Sequence, residues 1–249
     1  MSFLKNLFGK KAEPVQEVKP IEPEYSIEER LKYKVYPRIK NVNSQNFQHL
    51  YHKPLGGDLT LIFVQDINDR FSYIQKSEAE QLMHLIDEWQ NNIKEVESEL
   101  FTTEELDGSI YFNEPGDYSN EKIFDPNFIN FACEKLITDK VIISIARRHM
   151  LQVTNFYNDF KDNEMFFWRH FSAWRNSDLP DEVISEYVLI GEKDKGITDI
   201  VSMGFRMNAY ERDGKYVLSY SVFDDGDSPI GDKIDFAEII ESRKQKLTY

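Results

Sequence analysis

The sequence predicts an α+β fold, with antiparallel or mixed sheets packed by a few helices. Three observations lead there. β-prone runs at residues 59–64 and 141–145 are each followed by a short second strand and then a helix-patterned segment. Two strand-like runs flank Asp213-Gly214, a dipeptide that favours a hairpin turn. Apolar residues make up 41% of the 249 positions and aromatic ones 14%, far above a disordered chain and ample for a real core.

The elements follow in order. Phe3, Leu4, Leu7 and Phe8 fall at helical spacing among Lys5, Lys10 and Lys11. Such a segment can lie on a membrane surface or dock into a groove, but it is too short to hold a helix alone. Residues 12–24 are Pro-, Glu-, Val- and Lys-rich, as in a linker. We therefore expect a tail over residues 1–25 and a single domain over 26–249, with related halves at about 33–125 and 126–249. Residues 33–40 alternate apolar and polar positions, and Pro37 suits an edge strand because it has no N–H to donate. Gly56 and Gly57 mark a turn before the run at 59–64, and Asn68-Asp69 marks another before a short strand at 71–74.

Ser77 and Glu80 have the spacing of a capping box, and Leu82, Leu85, Ile86, Trp89, Ile93 and Val96 continue one apolar face, so one helix is expected over 77–99. A strand at 109–112 follows. Asp125-Pro126 then opens a helix whose buried face would be Phe128, Phe131, Ala132 and Leu136. The strand at 141–145, a short strand at 150–154 and a helix over 158–174 repeat the earlier grammar. Strands are expected at 186–190, 200–210 and 215–223, an acidic loop at 224–232, and a last helix at 236–244.

Charge narrows the function. There are 44 acidic and 30 basic residues, a formal charge of −14. That opposes nucleic acid, which needs a basic surface to neutralise phosphates. It also opposes strong lipid binding, so a membrane role is at most peripheral, through Phe3, Leu4, Leu7 and Phe8. No secretory leader is evident, so the cytoplasm is the expected address.

Near-motifs for chemistry each miss a part. His49 and His52 form H-x-x-H, yet no partner pair completes a zinc set. Cys133 falls in mid-helix, where nothing lowers a thiol pKa. The loop with Asp224, Asp225 and Asp227 resembles a cation loop, but counted from Asp225 it has Ile230 where an EF-hand needs glycine and Phe236 where it needs glutamate. Phosphate-binding glycine loops are missing, so neither a cofactor nor a metal is expected. Arg147, Arg148, His149 and Arg169 remain as weak catalytic candidates. Arginines after a strand and on the next helix can hold a carboxylate or phosphate, or pair with local acids. For binding, the candidates are the helix carboxylates Asp87, Glu88 and Glu95, within a row that also takes in Glu78, Glu97 and Glu99, and the loop residues Asp224, Asp225 and Asp227.

Two stretches carry a family resemblance. Pro54, Leu55, Asp58, Leu59, Phe63 and Asp66 match a pattern P-L-x-x-D-L-x-x-x-Y-x-x-D, with Phe63 at the tyrosine position. Residues 141–154 supply a strand, arginines and an L-x-V-T segment. Over about residues 50–190 the chain thus resembles the YtpQ-like family of bacterial proteins, which implies no catalytic residues. The expected function is an acidic binding module for another, basic protein, in one form an immunity protein neutralising a basic toxin. The alternatives are an enzyme with a dispersed site around Arg147, Arg148, His149 and Arg169, and a peripheral membrane protein tethered by residues 2–11.

Overall fold

The computed structural model describes residues 25–44, 47–106, 108–157, 160–176, 178, 182–202, 205–212, 215–222 and 236–247. The expectations for residues 1–24, the 213–214 turn and the 224–232 loop lie outside them.

The run at 59–64 becomes β3 (Leu59–Asp66), the centre of a four-stranded antiparallel sheet. On one side lies β1 (Val35–Asn41); β2 (His52–Gly56) and β4 (Phe71–Tyr73) share the other. Pro37 does sit on an edge strand. Asn68 and Asp69, at φ 55° and 60°, make the two-residue turn into β4, whose backbone twist matches the strands it joins.

A larger antiparallel sheet of seven strands holds, in spatial order, β13 (Lys244–Lys246), β10 (Gly196–Val201), β9 (Val188–Glu192), β7 (Lys140–Arg147), β8 (Met150–Asn155), β6 (Ile110–Asn113) and β5 (Leu100–Phe101). Strand pairing crosses residue 125, because β6 joins β8. β11 (Phe205–Arg212) and β12 (Lys215–Val222) pair as a separate hairpin up to Arg212 and Lys215.

The helices are α1 (Ile27–Arg30), α2 (Lys76–Ile86), α3 (Trp89–Lys94), α4 (Pro126–Leu136), α5 (Glu164–Arg175) and α6 (Phe236–Arg243). Side-chain parity along β7 decides what they cover. Val141, Ile143 and Ile145 join a cluster that runs through α4, α2, α3 and the inner face of the smaller sheet. Ile142 faces the other way, into a cluster with Phe166, Phe167 and Phe171 of α5 and Ile240 of α6. A strand buried on both faces reads as an unbroken apolar run, which is why β7 stands out in the sequence. α4 lies close on β9: a Cβ at Gly191 would come within 3.0 Å of Ile129.

Several expectations need correction. The helix over 77–99 is two helices. It starts at Lys76, and the capping contact is Glu78 accepting the Gln75 N–H at 3.0 Å, two residues before the expected box. At the break, Glu88 N–H reaches only Leu85 O, at 3.3 Å, an i to i−3 bond that tightens the turn. That re-aims Trp89, Asn92 and Ile93, and the Asn92 side chain donates to Val35 O of β1 at 2.9 Å. Glu78 is buried, not on the outer face, and pairs with Arg30 at 3.0 Å. In α4, Asp125 and Pro126 do open the helix, but Phe131 is 37% exposed, while Ile129 and Cys133 take the buried positions. The strand-like run at 200–210 is split between β10 and β11, and β13 was not foreseen.

α4 ends with Ile137 in the left-handed region at φ 53°, 92% exposed. A β-branched residue there is strained, and its side chain buries almost nothing in return. Ile137→Gly is expected to stabilise the fold by about 1 kcal/mol, read as a raised urea midpoint at unchanged slope. An unchanged or lowered midpoint would show that the strain is absent.

Candidate binding face

The surface of α2 and α3 carries the acidic residues that the pattern pointed to. Asp87, Glu88, Glu95, Glu97 and Glu99 are all exposed, and so is Glu80, which the sequence pattern assigned to the helix cap and not to this row. Glu95 pairs with Lys34, an exposed pair of the kind that contributes little. Glu88 accepts from the Asn91 side chain at 2.8 Å. Glu80 and Asp87 make no ion pair among the described residues. Asp224, Asp225 and Asp227, the other binding candidates, lie outside those residues.

Beside this row runs a groove of about 530 Å³ lined by Tyr51, His52, Lys76, Ala79, Glu80 and Met83. Its walls are held by backbone stitching. Tyr51 N–H donates to Ile74 O at 2.9 Å and Lys76 N–H to His49 O at 3.0 Å, which sets the start of β2 against the first turn of α2. Ala79 keeps the floor low, and the Tyr51 hydroxyl lies 3.9 Å from Met83 Sδ. His52 turns inward: its Nδ1 donates to Leu50 O at 2.9 Å, and its ring meets Phe47 edge-on. Among the described residues no three His, Cys, Asp or Glu side chains stand together as a metal would need.

The four catalytic candidates go to four different places. β7 carries a bulge between Ser144 and Arg147, and the bulge turns Arg147 toward α5. There its guanidinium donates to the carbonyls of Ala173, Trp174 and Asn176, so it caps the helix end, where a cation is favoured. Arg148 points the other way and pairs with buried Glu121 at 2.6 Å. His149, at φ 62°, makes a turn and sits 3.0 Å from Gly116 O through Nδ1. Arg169 lies 4.8 Å over the Phe112 ring and donates to Gln152. The sequence placed these residues near one another along the chain; the fold does not aim them at one point.

Other buried polar groups were missed. Asp58, in the turn before β3, accepts from the Ser185 hydroxyl at 2.6 Å, from Asn41 at 2.9 Å and from the Glu186 N–H at 3.1 Å. Burial pushes its pKa up, and the Ser185 hydrogen bond opposes that. Ser144 and His170 form a hydroxyl–imidazole pair at 2.7 Å. Both are fully buried, so no substrate can reach the hydroxyl, and the pair serves packing. Cys133 is buried as well, with its thiol pushed up to about 11 by burial, the opposite of a reactive cysteine.

No protein-family model, curated protein or solved structure matches this chain. Among the described residues, no helix is long and apolar enough to cross a membrane. The functional reading therefore rests on the α2–α3 face.

Proposed function

We propose that this chain is a protein-binding module that offers the acidic α2–α3 face to a basic partner. One observation carries the reading. Glu80 on α2 and Asp87 and Glu88 at the α2–α3 break are exposed and form no ion pair among the described residues, and Glu80 borders a groove that Tyr51, Ala79 and Met83 make largely apolar. Charged rims of this kind accelerate encounter with an oppositely charged protein, and an apolar site beside them supplies the desolvated contact. The formal charge of −14 extends the attraction beyond the patch. The specific form we favour is an immunity-type protein of the bacterial cytoplasm that neutralises a basic toxin. The YtpQ-like resemblance supports the bacterial setting and adds no activity.

The test is charge reversal. Asp87→Lys/Glu88→Lys is expected to slow association with the basic partner about tenfold or more at low salt and to flatten its salt dependence. Both sites are exposed, so the fold should survive, which circular dichroism checks. Association that is equally fast in the variant, or insensitive to salt in the parent, would remove the proposal.

A further inference from the structure

We infer that Tyr118 is an aromatic gate over Arg38, a cation that the closed fold leaves unserved at two of its nitrogens. Tyr36 and Arg38 stand on β1 on the face opposite to Val35 and Ile39. The Arg38 guanidinium lies 4.3 Å from the centre of the Phe71 ring. Tyr118 meets the same ring edge-on at 5.7 Å and stacks on Tyr36 at 4.5 Å. The four side chains are thus one cluster, and Tyr118 reaches it from a loop outside the sheet. Arg38 and Tyr118 are each 9% exposed. Arg38 Nε, Arg38 Nη1 and the Tyr118 hydroxyl are all buried without a hydrogen-bond partner. Phe71 takes the flat side of the guanidinium, which does nothing for the N–H groups at its edge. Arg38 makes no ion pair among the described residues. Asp66, across from Phe71 in the β3–β4 pair, and Asp117, next to Tyr118, are exposed and do not reach it. Lys40, the next residue on that face of β1, is taken by Glu182.

Magnitudes make closure a near balance. Each buried donor without a partner lowers the closed population by about tenfold or more. Each of the two ring contacts favours closure by about tenfold at most, and burial of the phenol ring adds about thirtyfold. Three penalties therefore nearly cancel the gains, so opening is frequent without unfolding the rest. The chain around Tyr118 permits the motion. Glu114, Pro115, Gly116 and Asp117 are exposed, and a Cβ on Gly116 would meet nothing within 4 Å. The Tyr118 carbonyl is held, accepting from Glu121 N–H at 3.1 Å and Lys122 N–H at 3.2 Å, so the ring swings from a fixed base. Open, the gate gives Arg38 access to water and to the carboxylates of Asp66 and Asp117. The inference is independent of the α2–α3 face.

Hydrogen exchange of the arginine Nε–H groups, followed by ¹⁵N NMR on the full chain, tests the gate. Arg30 is the internal reference, since it is 1% exposed and its Nε lies 3.0 Å from Glu78. The Arg38 Nε proton is expected to exchange at least about tenfold faster than that of Arg30. Tyr118→Phe keeps the ring and removes the unpaired hydroxyl, so it should hold the gate shut and slow the Arg38 proton about tenfold. The change is small enough that the fold should survive it. A difference between Arg38 and Arg30 below tenfold overturns the inference, because Arg38 then meets water only when the whole molecule opens. An Arg38 rate that is unchanged or faster in Tyr118→Phe overturns it as well, because the hydroxyl then carries no penalty in the closed form.

Discussion

Replacing Glu121 with alanine is expected to cost about 3–5 kcal/mol of folding stability. Glu121 is fully buried, and one carboxylate oxygen accepts from both Ile39 N–H, at 2.7 Å, and Arg148, at 2.6 Å. Arg148 in turn donates to Ile39 O. Ile39 lies on edge strand β1, so the ion pair supplies the donor and acceptor that a neighbouring strand would have given. It also ties the smaller sheet to the β7–β8 turn of the larger one. Alanine at 121 leaves a buried guanidinium with its hydrogen bond to Ile39 O and, for charge, only the longer contact to Glu182 among the described residues, at 3.7 Å. Glu121→Gln keeps an acceptor oxygen and should lose less. The pair is not fully satisfied even in the native protein, since Glu121 Oε2 and Arg148 Nε are buried without hydrogen bonds. Exchanging both residues together, Glu121→Leu/Arg148→Met, should therefore cost less than Glu121→Ala alone. Guanidinium unfolding measures all three; a loss below about 1 kcal/mol for Glu121→Ala would show that the pair does not tie the sheets.

The second large effect is a loss of stability in acid traced to His170. The imidazole is fully buried. Nε2 faces Glu186 O at 2.9 Å, and a carbonyl only accepts, so Nε2 carries the proton. Nδ1 then accepts from the Ser144 hydroxyl. Both nitrogens are used by the neutral ring, and burial holds its pKa down at about 4 against an ordinary 6.5. The folded value lies below the unfolded one, so between those values the unfolded chain binds the proton and the folded chain does not. The stability is fully present above pH 6.5 and is lost as pH falls toward 4, by about 3 kcal/mol in all. Glu192 and Asp199, whose pKa values are lowered, add to the acid limb, so the comparison must be with His170→Gln. Glutamine can still donate to Glu186 O but does not titrate. Unfolding midpoints between pH 7.5 and 4.5 should fall more steeply for the parent than for the variant. Parallel curves would mean that His170 does not carry the effect.

The parts of the fold legible in the sequence are those where one strand or turn explains itself. β3 and β7 are continuous apolar runs because both of their faces are covered, and Asn68-Asp69 turns the chain by its own left-handed tolerance. The acidic face was legible for a similar reason: solvated carboxylates at helical spacing need no distant partner. What was missed depends on distance along the chain. Glu121 meets Ile39 across 82 positions and Asp58 meets Ser185 across 127, and neither carries a local mark of burial. Glu78 was read as surface because its partner, Arg30, lies outside the helix pattern. The α2–α3 break was hidden because the apolar spacing runs through it. β13 reads Lys-Gln-Lys, with no apolar alternation, since its backbone alone does the pairing.

That last strand bears on how the molecule behaves in a crowded solution. An open sheet invites a second molecule to add on, strand against strand, and so on into a filament. One border of the larger sheet is only two residues long, and the other presents Lys244 and Lys246. A newcomer at the first border would find almost no ladder to extend, and at the second only a three-residue strand whose lysines are already paired with Glu241 and Asp199. The larger sheet thus offers little to extend at either end, which guards it against polymerisation.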